Sequence, residues 1–316
     1  MYIKDLKVMD CTVRDGGLMN KWQFSDEFVR GVYKGCLEAG IDYMEIGYKS
    51  SERAFSRSEV GPWKFCDEKD LRRIVGDNDT KLKLSAMADI GRIDQDDIPE
   101  KRESVIDMIR VACYVHQIDK AIVLAEHCLD KGYEATINLM AVSKVNEPEL
   151  DQALNDLAMS RVPVIYVVDS FGSMYCDSIE YLIRKYKKVL SGKELGIHAH
   201  NNMQLAMSNT ITSLIHGATM LDATLLGMGR GAGNCPIEIL IAFLKNPKYR
   251  LLPLLGIIQN HIKPLQDKIE WGYHVPYLIT GSMNEHPRSA MKWMDSERKS
   301  DYVAFMKEMH DYELLE

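Results

Sequence analysis

Eight short apolar runs recur along this chain, and their spacing constrains its fold more than any other feature. They lie at Lys7–Cys11, Asp42–Gly47, Lys83–Ala88, Met108–Ala112, Ala135–Ala141, Val164–Asp169, Gly196–His200 and Met220–Leu226. Each has the length of a buried strand. Amphipathic or helix-favouring segments separate most of them. The first, Gln23 to Gly40, has Ser25 placed to cap its start and Gly40 to end it. Eight such units within roughly 245 residues match a TIM (β/α)8 barrel. A doubly wound sheet would carry G-x-G-x-x-G after its first strand, where this chain has the polar run Asp15-Gly16-Gly17, which reads as a loop. Gly229-Arg230-Gly231-Ala232-Gly233 follows the last strand instead and reads as a loop at the barrel mouth.

Beyond Pro247 the pattern changes. Leu251 to Gly272 and Ser289 to His310 read as helical, joined by a Gly- and Pro-containing connection. The expected organisation is a barrel over 1–246 and a C-terminal helical extension over 247–316, serving the active site or oligomer contacts. Tyr48 to Phe65 is long for a strand-to-helix loop and carries Lys49, Arg53, Phe55, Arg57 and Trp63. It reads equally as a lid, a pocket wall or a surface excursion.

A formal charge of -7 argues against a surface for nucleic acid or anionic lipid. The charged start, Met1 to Lys7, does not read as a signal peptide, and no run reaches the roughly 20 apolar residues of a membrane span. Seven scattered cysteines fit reduced thiols. Together these point to a cytoplasmic protein with a small-molecule substrate.

The chemistry concentrates at strand ends. In Gly196-Ile197-His198-Ala199-His200 the two histidines are two apart, so on a strand both imidazoles point to one face. Asp15, after the first strand, is the best third ligand, and two imidazoles with one carboxylate leave a divalent cation open to substrate. In a barrel all the strand-to-helix loops share this face. It also gathers Arg14, Glu45, Asp169, Asn234 and Cys235, of which Arg14, Asp169 and Asn234 are the candidate substrate contacts. Turn chemistry, and a plain salt bridge between Arg14 and Glu45, explain some of these residues but not the convergence of imidazoles and carboxylate.

Asp10-x-Thr12-x-Arg14-Asp15-Gly16, Glu45, His198-x-His200-Asn201 and Gly229-Arg230-Gly231-Ala232-Gly233-Asn234 together resemble the DRE-TIM metallolyase superfamily. The resemblance is closest to its 4-hydroxy-2-oxovalerate aldolase branch, through Gly231-Ala232-Gly233-Asn234-Cys235-Pro236-Ile237-Glu238 and Gly272-Tyr273-His274-Val275-Pro276-Tyr277. It implies that Asp15, His198 and His200 hold Mn²⁺ or Mg²⁺, with Asn234 at a position that serves as a further ligand or substrate contact. It implies that Arg14 binds the keto oxygen or developing enolate and that Glu45 orients Arg14. The expected reaction is cleavage of a 4-hydroxy-2-oxo acid to pyruvate and an aldehyde. An acyl-CoA lyase, a Claisen-type synthase, or a binding barrel that has lost catalysis are the alternatives. A homo-oligomer and an aldehyde dehydrogenase partner are also implied.

Two positions depart from that branch. A histidine base expected three residues after Asp15 is Leu18 here. Tyr273, Tyr277, His274, His286, Tyr48 and Lys49 are candidates for its work, the two C-terminal tyrosines ahead of the rest. Cys235 stands where the superfamily's 3-hydroxy-3-methylglutaryl-CoA lyases have a catalytic cysteine, and reads either as a catalytic thiol or as a small buried side chain.

Overall fold

The computed structural model describes residues 3–313. Met1, Tyr2 and residues 314–316, the outer ends of the expected barrel and extension, lie outside the described residues. Eight parallel strands, β1 (Lys7–Asp10), β2 (Tyr43–Tyr48), β3 (Lys83–Asp89), β4 (Met108–Cys113), β5 (Glu134–Leu139), β6 (Val164–Asp169), β7 (Glu194–Ala199) and β8 (Met220–Ala223), follow one another in chain order. β8 pairs back onto β1, Met9 opposite Asp222, and closes a barrel. The TIM-barrel reading is therefore correct.

Helices α2 (Asp26–Ala39), α3 (Glu68–Val75), α4 (Ile118–Asp130), α5 (Glu147–Met159), α6 (Cys176–Val189), α7 (Ala206–His216) and α8 (Ile237–Leu244) form the outer layer. The Ser25 side chain accepts from Phe28 N at the start of α2, and Gly40 ends it in the left-handed region at φ 74°. From β3 to β4 the chain crosses with only two 3-10 turns, Gln95–Asp97 and Lys101–Glu103.

The expected loop at Asp15-Gly16-Gly17 is instead inside a helix, α1 (Thr12–Asn20). Two glycines in a helix cost about 1 kcal/mol each, which is why the run read as a loop. Packing explains them: a Cβ on Gly17 would lie 2.0 Å from Trp22 Cδ1, and one on Gly16 2.8 Å from Met228 Cε. The Trp22 indole donates to Arg14 O at 2.9 Å and pins the helix that carries Arg14 and Asp15.

Side chains alternating inward fill the barrel in two chemically different layers. Met9, Tyr43, Met108, Val164 and Met220 form an apolar plug toward the strand starts. Two residues later on the same strands stand Cys11, Glu45, Arg110, Tyr166 and Asp222, all essentially without solvent contact. Tyr166 lies across the interior because the facing residue is Gly196, whose Cβ would sit 2.5 Å from its ring. The Arg110 guanidinium stacks on that ring at 4.3 Å.

The helix expected over Leu251–Gly272 stops early. It comprises α9 (Leu251–Ile257), a π turn at Ile258–Ile262 and α10 (Lys263–Gln266). Pro264 cannot donate to the carbonyl four residues back, and the widened turn accommodates it. The connection that follows contains a further helix, α11 (Val275–Ser282), with Pro276 in its first turn. The expected last helix is two, α12 (Arg288–Met294) and α13 (Tyr302–Glu313). Tyr277, Ile279, Ala290, Trp293 and Phe305 make a small core with Ala232 of the barrel-mouth glycine loop, which seats this lobe over the mouth.

Tyr48 to Phe65 runs over the surface and returns to the interior. Arg53 and Arg57 pair with Asp94, Glu52 and Asp67 on the surface. Trp63, Lys64 and Phe65 anchor the segment in the interior. The Lys64 ammonium lies 3.6 Å over the Tyr48 ring and 4.1 Å over Trp22, a cage that fixes Tyr48 at the mouth. Among the described residues no helix is long and apolar enough to cross a membrane.

Candidate metal centre and active-site cavity

His198 and His200 extend from the end of β7 toward Asp15 at the start of α1, and all three are buried. The Nε2 atoms of both histidines lie 3.8 Å from Asp15 Oδ2. Two ligands each ~2.1 Å from one ion can be at most ~4.2 Å apart, so a divalent cation fits between them.

Hydrogen bonds behind the rings fix their tautomers. The Asp169 carbonyl can only accept, so His200 Nδ1, 2.9 Å away, carries the hydrogen and the Nε2 lone pair faces Asp15. His198 Nδ1 is likewise 2.9 Å from Asp222 Oδ2. Its Nε2 is buried with no partner, an orphan that a cation satisfies. Burial, reinforced by Arg230, pulls the His200 imidazole down to about 3, so the ring is neutral. Burial alone would raise the Asp15 carboxyl, but Arg14 and both imidazoles hold it well below the usual carboxylate range. Neutral imidazoles and an ionised carboxylate are the forms that bind metal.

A buried relay of charge connects the two ends of this site. Arg14 Nε donates to Glu45 Oε2 at 2.6 Å, and Arg14 Nη1 to Asp15 Oδ1 at 3.0 Å. Arg110 Nη1 meets the same Glu45 oxygen at 3.0 Å, while Arg110 Nη2 donates to Asp222 Oδ2 at 2.6 Å. Arg14 therefore has its Nε and Nη1 committed, and its Nη2 remains buried without a partner. Cys11, His198 and Asp222 also come within 4.8 Å of one another. However, burial pushes the Cys11 thiol up and Arg110 already neutralises Asp222, which leaves the Asp15 trio as the metal centre the chemistry favours.

The trio opens into a cavity of about 480 Å³ at the strand ends, lined also by Arg14, Leu18, Tyr48, Arg230 and His286. Several expected residues do not line the cavity. Glu45 is inside the barrel behind Arg14, in contact with the guanidinium it was expected to orient. Asn234 donates from Nδ2 to Asp15 and to Met228 O, which positions that carboxylate, while its Oδ1 is buried without a partner. Gly229 makes this possible, because a Cβ there would lie 2.0 Å from Asn234 Nδ2. Asp169, expected to bind substrate, accepts from Ser173 N at 3.1 Å and Met174 N at 3.4 Å and so holds the loop after β6.

Nor do the C-terminal tyrosines and the thiol line the cavity. Tyr273 is 54% exposed. Tyr277 is buried in the small lobe's core, its ring beside Gly231. Cys235 is buried with Sγ 3.6 Å from Met207 Sδ, and burial pushes its thiol up to about 12, which supports the small-side-chain reading. His274 sits by Glu270, and Lys49 donates to Cys66 O. Of the candidates for the proton acceptor, Tyr48 and His286 are the two that reach the cavity.

Arg110 and Asp222 are functional neighbours that pattern reading passed over. Their signal was a lone charge in each of two otherwise apolar strands, Met108–Cys113 and Met220–Ala223. Arg230, given no role from sequence, also faces the cavity.

The HMGL-like family profile matches residues 5–263. A curated relative, the 4-hydroxy-2-oxovalerate aldolase of Thermus thermophilus, is 31% identical over 82% of this chain and 75% of its own length. The oxaloacetate decarboxylase of Mycobacterium tuberculosis is 33% identical over 75% of this chain and 69% of its own. Among solved structures, the N-terminal domain of a candidate aldolase from Bacteroides vulgatus superposes with a TM-score of 0.80 at 30% identity, covering 95% of this chain and all of that one.

Proposed function

The chain belongs to the HMGL-like family and is a carbon–carbon lyase, and from that premise we propose that it cleaves a 4-hydroxy-2-oxo acid to pyruvate and an aldehyde. The observation that carries this reading is the convergence of Asp15 Oδ2, His198 Nε2 and His200 Nε2 beside an arginine with a free Nη2. Asp15, His198 and His200 would hold a divalent cation, Mn²⁺ or Mg²⁺. Such an ion supplies Lewis-acid polarisation of a 2-keto group and offsets negative charge as the C3–C4 bond breaks.

The protein's own residues do the rest. Arg14, clamped by Glu45 and Asp15, keeps Nη2 for the oxygen on which charge develops, and a fixed guanidinium in a buried site costs no reorganisation as the reaction proceeds. Asp222 and the Asp169 carbonyl orient the imidazoles. Asn234 orients the Asp15 carboxylate. The barrel, 1–246, supplies these groups, and the extension, 247–316, closes the mouth with His286 and Arg288.

A second reading, decarboxylation of oxaloacetate, is favoured by one feature. Aldol cleavage must remove a proton from the C4 hydroxyl, yet the side chain one turn after Asp15 is the apolar Leu18, which lines the cavity. Loss of carbon dioxide leaves the same pyruvate enolate and needs no such acceptor. The test is pyruvate release by metal-stripped enzyme before and after adding Mn²⁺ or Mg²⁺, on a panel of 4-hydroxy-2-oxo acids and on oxaloacetate. Metal-dependent pyruvate from the hydroxy acids supports the aldolase. Pyruvate from oxaloacetate alone moves the assignment to the decarboxylase, and none from either refutes both.

Self-association rests on the family resemblance and is tested by light scattering of the purified protein. Transfer of the aldehyde to a dehydrogenase rests on the family resemblance and is tested by co-purification.

A further inference from the structure

Three arginines serve the barrel mouth and its interior, and they are not treated alike. Arg14 is paired with Glu45 and Asp15, and Arg110 with Glu45 and Asp222. Arg230 is within ion-pair distance of no carboxylate among the described residues. Its Nη2 donates to Ser170 O at 2.9 Å, its Nη1 faces His286 Nε2 at 3.1 Å, and its Nε is buried without a partner. A half-buried guanidinium with no carboxylate in contact is costly, and this one lines the cavity. Arg288, the first residue of α12, lines the same cavity and likewise pairs with no carboxylate among the described residues. Arg92, also on the wall, is neutralised by Asp89 at 2.8 Å.

His286 adds a second mark of something missing. Arg288 N donates to His286 Nδ1 at 3.1 Å, so a neutral ring carries its hydrogen on Nε2. Burial and the two arginines keep the ring neutral. Its Nε2–H then points at the Nη1 donor of Arg230, donor against donor. An anionic oxygen accepting from both removes the conflict.

We propose that the substrate carries a second anionic group on its aldehyde half, a carboxylate or a phosphate, held by Arg230, His286 and Arg288 beneath the C-terminal lobe. This rests on the reading of the site as one for 4-hydroxy-2-oxo acids. The substrate's own keto-acid end is already provided for by the metal trio and Arg14 Nη2. The roughly 480 Å³ cavity falls in the ~300–1,000 Å³ range of sites for sizeable ligands, which leaves room beyond a three-carbon keto acid. Binding of the anion would tie α12 to the loops after β6 and β8, coupling closure of the lobe to the substrate's far charge.

The test separates this from the lyase reading by measuring binding without cleavage. Mn²⁺-loaded enzyme is titrated calorimetrically with 2-oxo acids of equal chain length that have no scissile bond, ending in methyl, carboxylate or phosphate. At least one of the anion-ended acids is expected to bind tenfold or more tighter than the methyl-ended acid, and the tighter of the two identifies the group. In Arg230→Gln and Arg288→Gln that ratio should collapse toward one, with partial recovery in Arg230→Lys. Equal affinity for all three acids in the wild type overturns the proposal. So does an Arg230→Gln variant that weakens methyl-ended and anion-ended acids by the same factor, because Arg230 would then serve the keto-acid carboxylate. Failure of the aldolase reading is read independently, as absence of pyruvate from every hydroxy acid.

Discussion

Asp222 Oδ2 stands 2.9 Å from His198 Nδ1 and 2.6 Å from Arg110 Nη2. One buried carboxylate oxygen thus fixes the tautomer of a metal ligand and anchors the arginine that, through Glu45, reaches Arg14. Arg110 and His198 hold this carboxyl below its ordinary range although burial alone would raise it. Asp222→Asn leaves the distances nearly unchanged but lets the amide present a hydrogen to Nδ1. The expected result is a ~10- to 100-fold loss of Mn²⁺ affinity, read by calorimetry. Unchanged affinity would mean that the His198 tautomer does not depend on Asp222.

His200→Ala and Arg14→Ala should fail differently. The first removes a ligand, so metal and turnover are lost together. The second leaves Asp15, His198 and His200 in place, so metal is retained while kcat/KM falls by ~3–4 kcal/mol of transition-state stabilisation. Metal content by emission spectroscopy beside steady-state rates distinguishes them, and equal metal retention in both variants removes His200 from the ligand set.

Cys235→Ala should turn over within about twofold of the wild type. Its thiol is buried against Met207, outside the cavity, and burial holds it at about 12, too high to exchange protons near neutrality. A drop beyond tenfold in kcat, with the fold intact by circular dichroism, would restore the thiol to the mechanism.

Asp10 gives a pH signature in stability. It is fully buried, and desolvation raises its carboxyl to about 7, partly offset by Thr12, whose hydroxyl and N–H both donate to it. A folded value above the unfolded one contributes stability that is complete below about pH 4 and is lost as pH rises through about 7. Asp10→Asn does not titrate, so its stability relative to wild type should improve by ~1–3 kcal/mol between about pH 5 and about pH 8. Urea unfolding at both values checks this, and parallel behaviour of the two proteins contradicts it.

The barrel was legible because buried parallel strands are apolar throughout and must recur. The eight runs at Lys7 through Leu226 therefore marked β1 to β8 nearly to their ends. The metal trio was legible because His198 and His200 share a face by strand geometry and Asp15 follows β1, whose end opens on the same barrel mouth. What stayed hidden depends on packing between distant segments. Gly16 and Gly17 read as turn residues because Met228, which Gly16 meets, is distant in sequence, and because Trp22, five residues after Gly17, packs against it only once the chain folds back on α1. Asp169 has the composition of a substrate contact, but its partners Ser173 and Met174 turn it to holding a loop, and the commitment of Asn234 Nδ2 to Asp15 was equally invisible in sequence. The first C-terminal helix ended at Gln266, and the connection after it formed α11 with Pro276 in its first turn, which places Tyr277 in the core of the lobe and leaves Tyr273 exposed.

The central claim is that this site, with its metal, stabilises the enolate of pyruvate. Proton NMR of pyruvate in D₂O with the metal-stripped enzyme, before and after Mn²⁺, measures that ability without any need to know the aldehyde. The account predicts loss of the C3 proton signal by deuterium exchange only when both metal and Arg14 are present, with Arg14→Ala inactive at full metal occupancy. Exchange at the uncatalysed rate in the metal-loaded wild type, or exchange undiminished in Arg14→Ala, would contradict it.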